Sequence, residues 1–237
     1  MKPHHPMTRR RFARSLAALS LGAVAAGAMS GCNVIGAVAQ FAPEPDIGSA
    51  YANLRGQTVA VMVWVDRGAR IDYPSVQADV AHGLTNKLSQ LTNPKDKHDK
   101  PTPELEAIRY LDPMTVIRFQ DDHPELEGMP PTDVATRLGV TRVIYIEVKD
   151  FQTRSAESVD LYKGTVVATL EVVEVTPGPD KTAKVAYSNN DLRVTYPPNR
   201  PEGVAFDDTS APEIYNKTVD EFTTQLAFLF FRHPSGH

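Results

Sequence analysis

Leu161 to Val175 reads LYKGTVVATLEVVEV. Along this stretch Tyr162, Val166, Ala168, Leu170 and Val172 fall on one face, with Lys163, Thr165, Thr169 and Glu171 on the other. A period of two held over so many residues predicts a long β-strand, apolar toward a core and polar toward water. A strand with one wet face belongs to an antiparallel sheet. Pro177-Gly178-Pro179-Asp180 turns the chain, and Lys184 to Tyr196 supplies one or two further strands.

Working outward, Arg142 to Thr153 (RVIYIEVKDFQT) carries the strongest strand signal, and Thr58 to Val65 (TVAVMVWV) is apolar on both faces, the mark of a central buried strand. Met114 to Phe119 (MTVIRF) predicts another strand. Helical spacing appears in two places. Val76, Val80, Leu84, Leu88 and Leu91 predict a long helix opened by Pro74-Ser75 and ended by the loop TNPKDKHDKPTP. Tyr215, Val219, Phe222, Leu226 and Phe230 predict a second, started by the capping box Ser210-Ala211-Pro212-Glu213. Brief helices are expected over Pro103–Leu111 and from a Thr132 cap to Leu138, where Gly139 stops the turn. The expected fold is α+β, with a mixed, largely antiparallel sheet of about five strands packed by two long helices and one or two short ones. It forms a single domain over residues 57–232, with a tail at 233–237.

The N-terminus follows a different rule. Thr8 to Cys32, TRRRFARSLAALSLGAVAAGAMSGC, runs from basic to apolar to small residues and ends on the only cysteine among 237 residues. Lys2, Arg9, Arg10, Arg11 and Arg14 make a positive leader, and Ser15 to Met29 is too short and too rich in Ala and Gly for a stable membrane span. This order predicts an export signal over residues 1–31. The run Met29-Ser30-Gly31-Cys32 resembles a bacterial lipoprotein signal, and the resemblance implies that Cys32 is lipidated and becomes the first mature residue. An ordinary secretory signal followed by an unmodified thiol is the competing reading. Arg9, Arg10 and Phe12 resemble a twin-arginine export motif, although Ala13 stands where that motif favours Leu; ordinary export suits the same basic leader. Asn33 after the cysteine resembles the sorting pattern of outer-membrane lipoproteins. Residues 32–56, with Pro43 and Pro45, read as a tether.

Removing residues 1–31 removes five Lys/Arg and no acid, so the net charge moves from −4 to −9. A domain that acidic is a poor electrostatic partner for nucleic acid or anionic headgroups, so membrane contact is expected through acyl chains. A single cysteine also excludes an internal disulfide framework and a multi-cysteine zinc site.

The order of elements, with Val59–Val61 (VAV) before the first helix and Ala135–Val140 (ATRLGV) leading into the strand at Arg142, resembles the α+β domain shared by the curli-secretion lipoprotein CsgG, the N-terminal domain of TolB and small envelope-assembly lipoproteins. The resemblance spans residues 57–231 and implies a fold more than a function. Channel-forming members need long membrane-crossing hairpins, and the hairpin over Leu161–Tyr196 has a short turn, so no pore is expected.

Catalytic signatures are sparse. No glycine-rich phosphate loop, Gly-x-Ser-x-Gly elbow or His-Glu-x-x-His helix occurs. In FQDDHPELEG, Asp121, Asp122, His123, Glu125 and Glu127 offer oxygen ligands and one imidazole to a divalent cation, with a solvated acidic loop as the plainer alternative. Trp64 and Tyr145 read as core and cross-strand packing, as does Tyr162. The expectation is a lipid-anchored, non-enzymatic protein of the bacterial cell envelope, facing the periplasm, sorted to the outer membrane and lacking a cofactor. It would act in an assembly, secretion or cell-wall complex by binding envelope proteins or further copies of itself. Two alternatives are a periplasmic small-ligand or cation-binding lipoprotein, and a hydrolase whose carboxylates would be Asp66, Asp72 or Asp121.

Overall fold

The computed structural model describes residues 46–92, 102–178 and 181–235. Cys32, the export-motif residues Arg9, Arg10 and Phe12, the first part of the tether and most of the loop after the first long helix lie outside the described residues.

β1 (Thr58–Val65) is buried along nearly its whole length, as a strand apolar on both faces must be. It pairs in parallel with the two-residue β2 (Arg109–Tyr110) on one side and with β3 (Arg142–Arg154) on the other. β3 pairs antiparallel with β4 (Leu161–Thr176), and β4 with β5 (Thr182–Tyr196). The sheet order is β2-β1-β3-β4-β5, with the short β6 (Val204–Ala205) added beside β4. The fold is thus α+β with a mixed, mostly antiparallel sheet of six strands, and among the described residues it has five α-helices.

Helices cover both faces. Val59, Val61, Val63 and Val65 point to the larger core, which is shared with α2 (Val76–Thr92) through Val80, Leu84 and Leu88. α5 (Ala211–Phe228) adds Phe222 and Leu226 to it. Ser210 accepts from the backbone N–H of Glu213 at 3.4 Å, while the Glu213 carboxylate takes the Thr209 hydroxyl, so half of the expected capping box forms. The alternate residues Ala60, Met62 and Trp64 face a second core, which includes Val116 from α3 (Pro113–Asp122) and Val134 from α4 (Pro131–Ala135). Among the described residues no helix is long and apolar enough to cross a membrane.

Four expectations are corrected. Met114–Phe119 is helical: Asp112 caps α3 by accepting from Thr115 N–H at 3.0 Å, and Pro113 starts the first turn. From α3 the buried Gln120 donates to the Val63 carbonyl of β1 at 3.0 Å, satisfying an edge acceptor that β2 does not reach. The helix expected over Pro103–Leu111 is a single 3-10 turn, Pro103–Leu105, before β2. The helix expected to start at a Thr132 cap begins at Pro131 and ends at Ala135. Finally, α1 (Arg67–Asp72) was not expected, and the tether ends earlier than residue 56, because Tyr51 and Leu54 are buried in the larger core. Their burial extends the compact unit to Asp46–His233.

That entry segment is fastened by charge. Glu174 lies between Arg142 and Lys184 in the strand register, at 3.6 and 3.2 Å, and accepts the Tyr51 hydroxyl at 2.9 Å. Burial alone raises the Glu174 carboxyl, but the bonds from Tyr51 and Lys184 and the Arg142 charge outweigh it and hold it below its ordinary value. A depressed carboxylate contributes stability that is fully present above the unfolded value, about 4.3, and is lost as pH falls through the folded value. Glu174→Gln is therefore expected to be less stable than wild type at pH 7. The difference should shrink as urea midpoints are taken below about pH 4; a gap that stays constant with pH would contradict this assignment.

Candidate functional site

The sheet face that carries the smaller core is covered only in part. α3 and α4 pack over Ala60, Met62, Val143, Val173 and Val175. Beyond them the same face opens into a cleft of about 470 Å³.

Strand register explains the lining. Trp64 of β1 pairs with Glu147 of β3, which pairs with Thr169 of β4. In the next row Met62 pairs with Tyr145, and Tyr145 with Glu171. Paired residues share a face, so Trp64, Tyr145, Glu147, Thr169 and Glu171 arrive together from three strands. At the end of β1 the chain turns into α1, where Asp66 caps the helix by accepting from Gly68 N–H at 2.9 Å and Arg67 borders the cleft. The opposite wall comes from the connection into α4, Glu127, Gly128, Met129 and Pro131, with Gly128 at φ 81°, a left-handed turn that suits glycine.

The site is electronegative with an aromatic floor. Four carboxylates line it, from Asp66, Glu127, Glu147 and Glu171, against the one cation Arg67. Lys149 pairs with Glu147, and Arg70 stands 4.0 Å from Glu127. The Tyr145 hydroxyl is pushed up to about 12 by burial first, then by Glu147, Glu171 and Glu127. Trp64 is 8% exposed, and its indole N–H is buried without a hydrogen-bond partner among the described residues. Such an orphan donor is rare and calls for an acceptor.

The acidic loop is not gathered in this way. Asp121 and Asp122 are exposed at the end of α3, His123 turns its Nδ1 to the Phe119 carbonyl at 2.9 Å, and Glu125 pairs with Arg137 at 3.7 Å. Among the described residues no group of three His, Cys, Asp or Glu side chains is placed to hold a metal ion. From that stretch only Glu127 reaches the cleft. Of the three carboxylates considered for hydrolysis, Asp66 caps α1 at the cleft, Asp72 ends α1 and Asp121 sits on α3, so they form no common site. Tyr162 packs on Phe206 at 4.2 Å, away from the cleft lining. Glu147 was overlooked in sequence, although Tyr145, Glu147 and Lys149 alternate along β3 and mark a face that turns polar midway.

No protein-family model and no curated protein matches the chain. It is similar to the solved structures of lipoprotein GNA1162 from Neisseria meningitidis (12% identity, 72% of this chain and 97% of that one, TM-score 0.39). It is also similar to a PelC dodecamer from Paraburkholderia phytofirmans (14%, 78% and 95%, TM-score 0.38). A third is hypothetical protein CT253 from Chlamydia trachomatis (12%, 74% and 98%, TM-score 0.39). At these identities and TM-scores the likenesses decide neither the fold nor the function of this chain.

Proposed function

We propose that the chain is a lipid-anchored, non-enzymatic protein of the bacterial cell envelope that faces the periplasm and works by binding another protein in an assembly, secretion or cell-wall complex. One observation carries this reading. The stretch from Thr8 to Cys32 passes from arginines through a weakly apolar run to Ser-Gly-Cys, and the sole cysteine falls where a lipoprotein signal requires it. Acylation of Cys32 with more than one chain gives stable anchoring where a single chain would be marginal. Thirteen residues separate Cys32 from Asp46, which keeps the start of the domain within about 50 Å of the membrane at full extension. Asn33 directs the mature protein to the outer membrane, and Arg9, Arg10 and Phe12 serve export.

The test is intact mass and membrane fractionation of the native protein beside Cys32→Ser. The wild type is expected to start at an acylated Cys32 and to sediment with membranes, and the variant to lose that association. A soluble wild type with a free thiol overturns the reading.

A further inference from the structure

We propose that the uncovered part of the sheet, on β3, β4 and β5 beyond the helix layer, packs face to face on the same surface of a second copy of this chain, with Glu171 of each copy opposite Lys163 of the other. The proposal rests on the protein-binding reading above and names the partner as the chain itself.

The open face follows from where two neighbours end. Along β4, Val175 and Val173 are buried in the smaller core beneath the helices, whereas Glu171, Thr169, Val167, Thr165 and Lys163, at the same spacing of two, are only partly buried. β1 stops at Val65, opposite Val148, so from Asp150 onward β3 and β5 flank β4 as the two edges of this part of the sheet. The middle of the face is β-branched, Val167 with Thr165 and Thr169 on either side. Two sheets of a sandwich present surfaces of this kind to each other, about 10 Å apart.

Charge names the occupant. Glu171 and Lys163 stand on one strand, four residues to either side of Val167, and neither has an ion-pair partner among the described residues. A two-fold axis between the sheets, running across their strands at Val167, reverses the strand direction. The acidic end of each copy then lies over the basic end of the other, and both charges are paired twice. A face of one sign selects a partner of the opposite sign, but a face with both signs balanced about its centre is complementary to itself. Asp150 and Arg193 share the Val167 row and meet their own mates, yet they stand at the two sheet edges, where solvent screens like charge. From Lys163 to Glu171 the face is about 26 Å long and three strands, about 14 Å, wide. Each copy therefore covers a few hundred Å², and the pair belongs among the weak interfaces.

The test uses the full-length chain carrying Cys32→Ser in detergent, so that an introduced thiol is the only one. Val167→Cys is expected to give a covalent dimer with a short bismaleimide, which spans two facing sheets. Val159→Cys, 84% exposed in the loop between β3 and β4, is expected to give none. In sedimentation velocity at rising protein concentration, Glu171→Lys and Lys163→Glu should each weaken the dimer by about tenfold or more, and the two together should restore it. A variant that had merely lost its fold would not be rescued by the second reversal. A monomer at every concentration with no Val167 product overturns the proposal and leaves the face to a different partner. A dimer indifferent to both single reversals, or an assembly that grows past two copies, overturns the two-fold pairing through this face. Because Cys32 is absent throughout, the result is independent of acylation: failure here leaves the anchor standing, and a soluble wild type leaves the dimer standing.

Discussion

Gly164→Ala is expected to destabilise the domain by about 3 kcal/mol, the upper end of what overpacking costs. A Cβ built on Gly164 of β4 would sit 1.7 Å from the Thr218 hydroxyl oxygen of α5, and 2.8 and 2.9 Å from its Cβ and Cγ2. Thr218 cannot simply swing away. It is fully buried, and its hydroxyl donates to the Ile214 carbonyl at 2.6 Å. The methyl must therefore lift α5 off the strand. The sign is diagnostic, because Gly in a strand interior is otherwise weakening and alanine there would normally help. Urea unfolding should show a lower midpoint at unchanged slope. Adding Thr218→Ala should recover part of the loss, giving a favourable coupling in the double-mutant cycle. A Gly164→Ala protein as stable as wild type would mean that α5 does not seat on β4 as described.

Phe222→Ala is expected to cost about 4 kcal/mol, the range for deleting a buried aromatic side chain. Phe222 is 0% exposed, in the larger core between α5 and the sheet. Alanine has the higher helix propensity, so any loss comes from tertiary packing and not from α5 itself. Against a total stability of about 5 to 15 kcal/mol, the variant would be partly unfolded on warming. Phe222→Leu, which keeps much of the volume, should retain most of the stability. Val159→Ala, at a position 84% exposed, should stay within about 0.5 kcal/mol of wild type. Equal midpoints for Phe222→Ala and Val159→Ala would remove α5 from the core.

The elements that sequence placed correctly share one property: their pattern is long and has a single period. β1, β3 and β4 alternate or run apolar over 8 to 16 residues, and α2 and α5 repeat a helical stripe over 17 and 18. Short apolar runs do not separate helix from strand, so the sequence of Met114–Phe119 alone suits an extended segment as well as a helix. The Asp112-Pro113 start signal was present and outranked the β-branched residues that followed. Asp66 before α1 is a similar local signal, hidden because the helix it starts has only six residues. Tyr51 and Leu54 looked like tether because nothing in a short Pro- and Gly-bearing stretch states that two of its side chains reach a core.

The candidate site was legible residue by residue and illegible as a site. Trp64 and Tyr145 do pack, as their strands predict, yet the same side chains floor the cleft where the helix layer stops. Composition and local order alone determined that Thr8 to Cys32 passes from basic to apolar to small residues and ends on the one cysteine, that the remaining chain is acidic, and which long segments are strands or helices, because those properties depend on charge count and on periodicity within a segment. Only the tertiary structure decided that Trp64, Glu147 and Thr169 share one row and Tyr145 and Glu171 the next, that Gln120 of α3 donates to the Val63 carbonyl at the sheet edge, and that the Trp64 indole N–H is left without a partner among the described residues. Register and coverage depend on which strand lies beside which and where a helix ends above them, and that information is held in contacts between residues tens of positions apart.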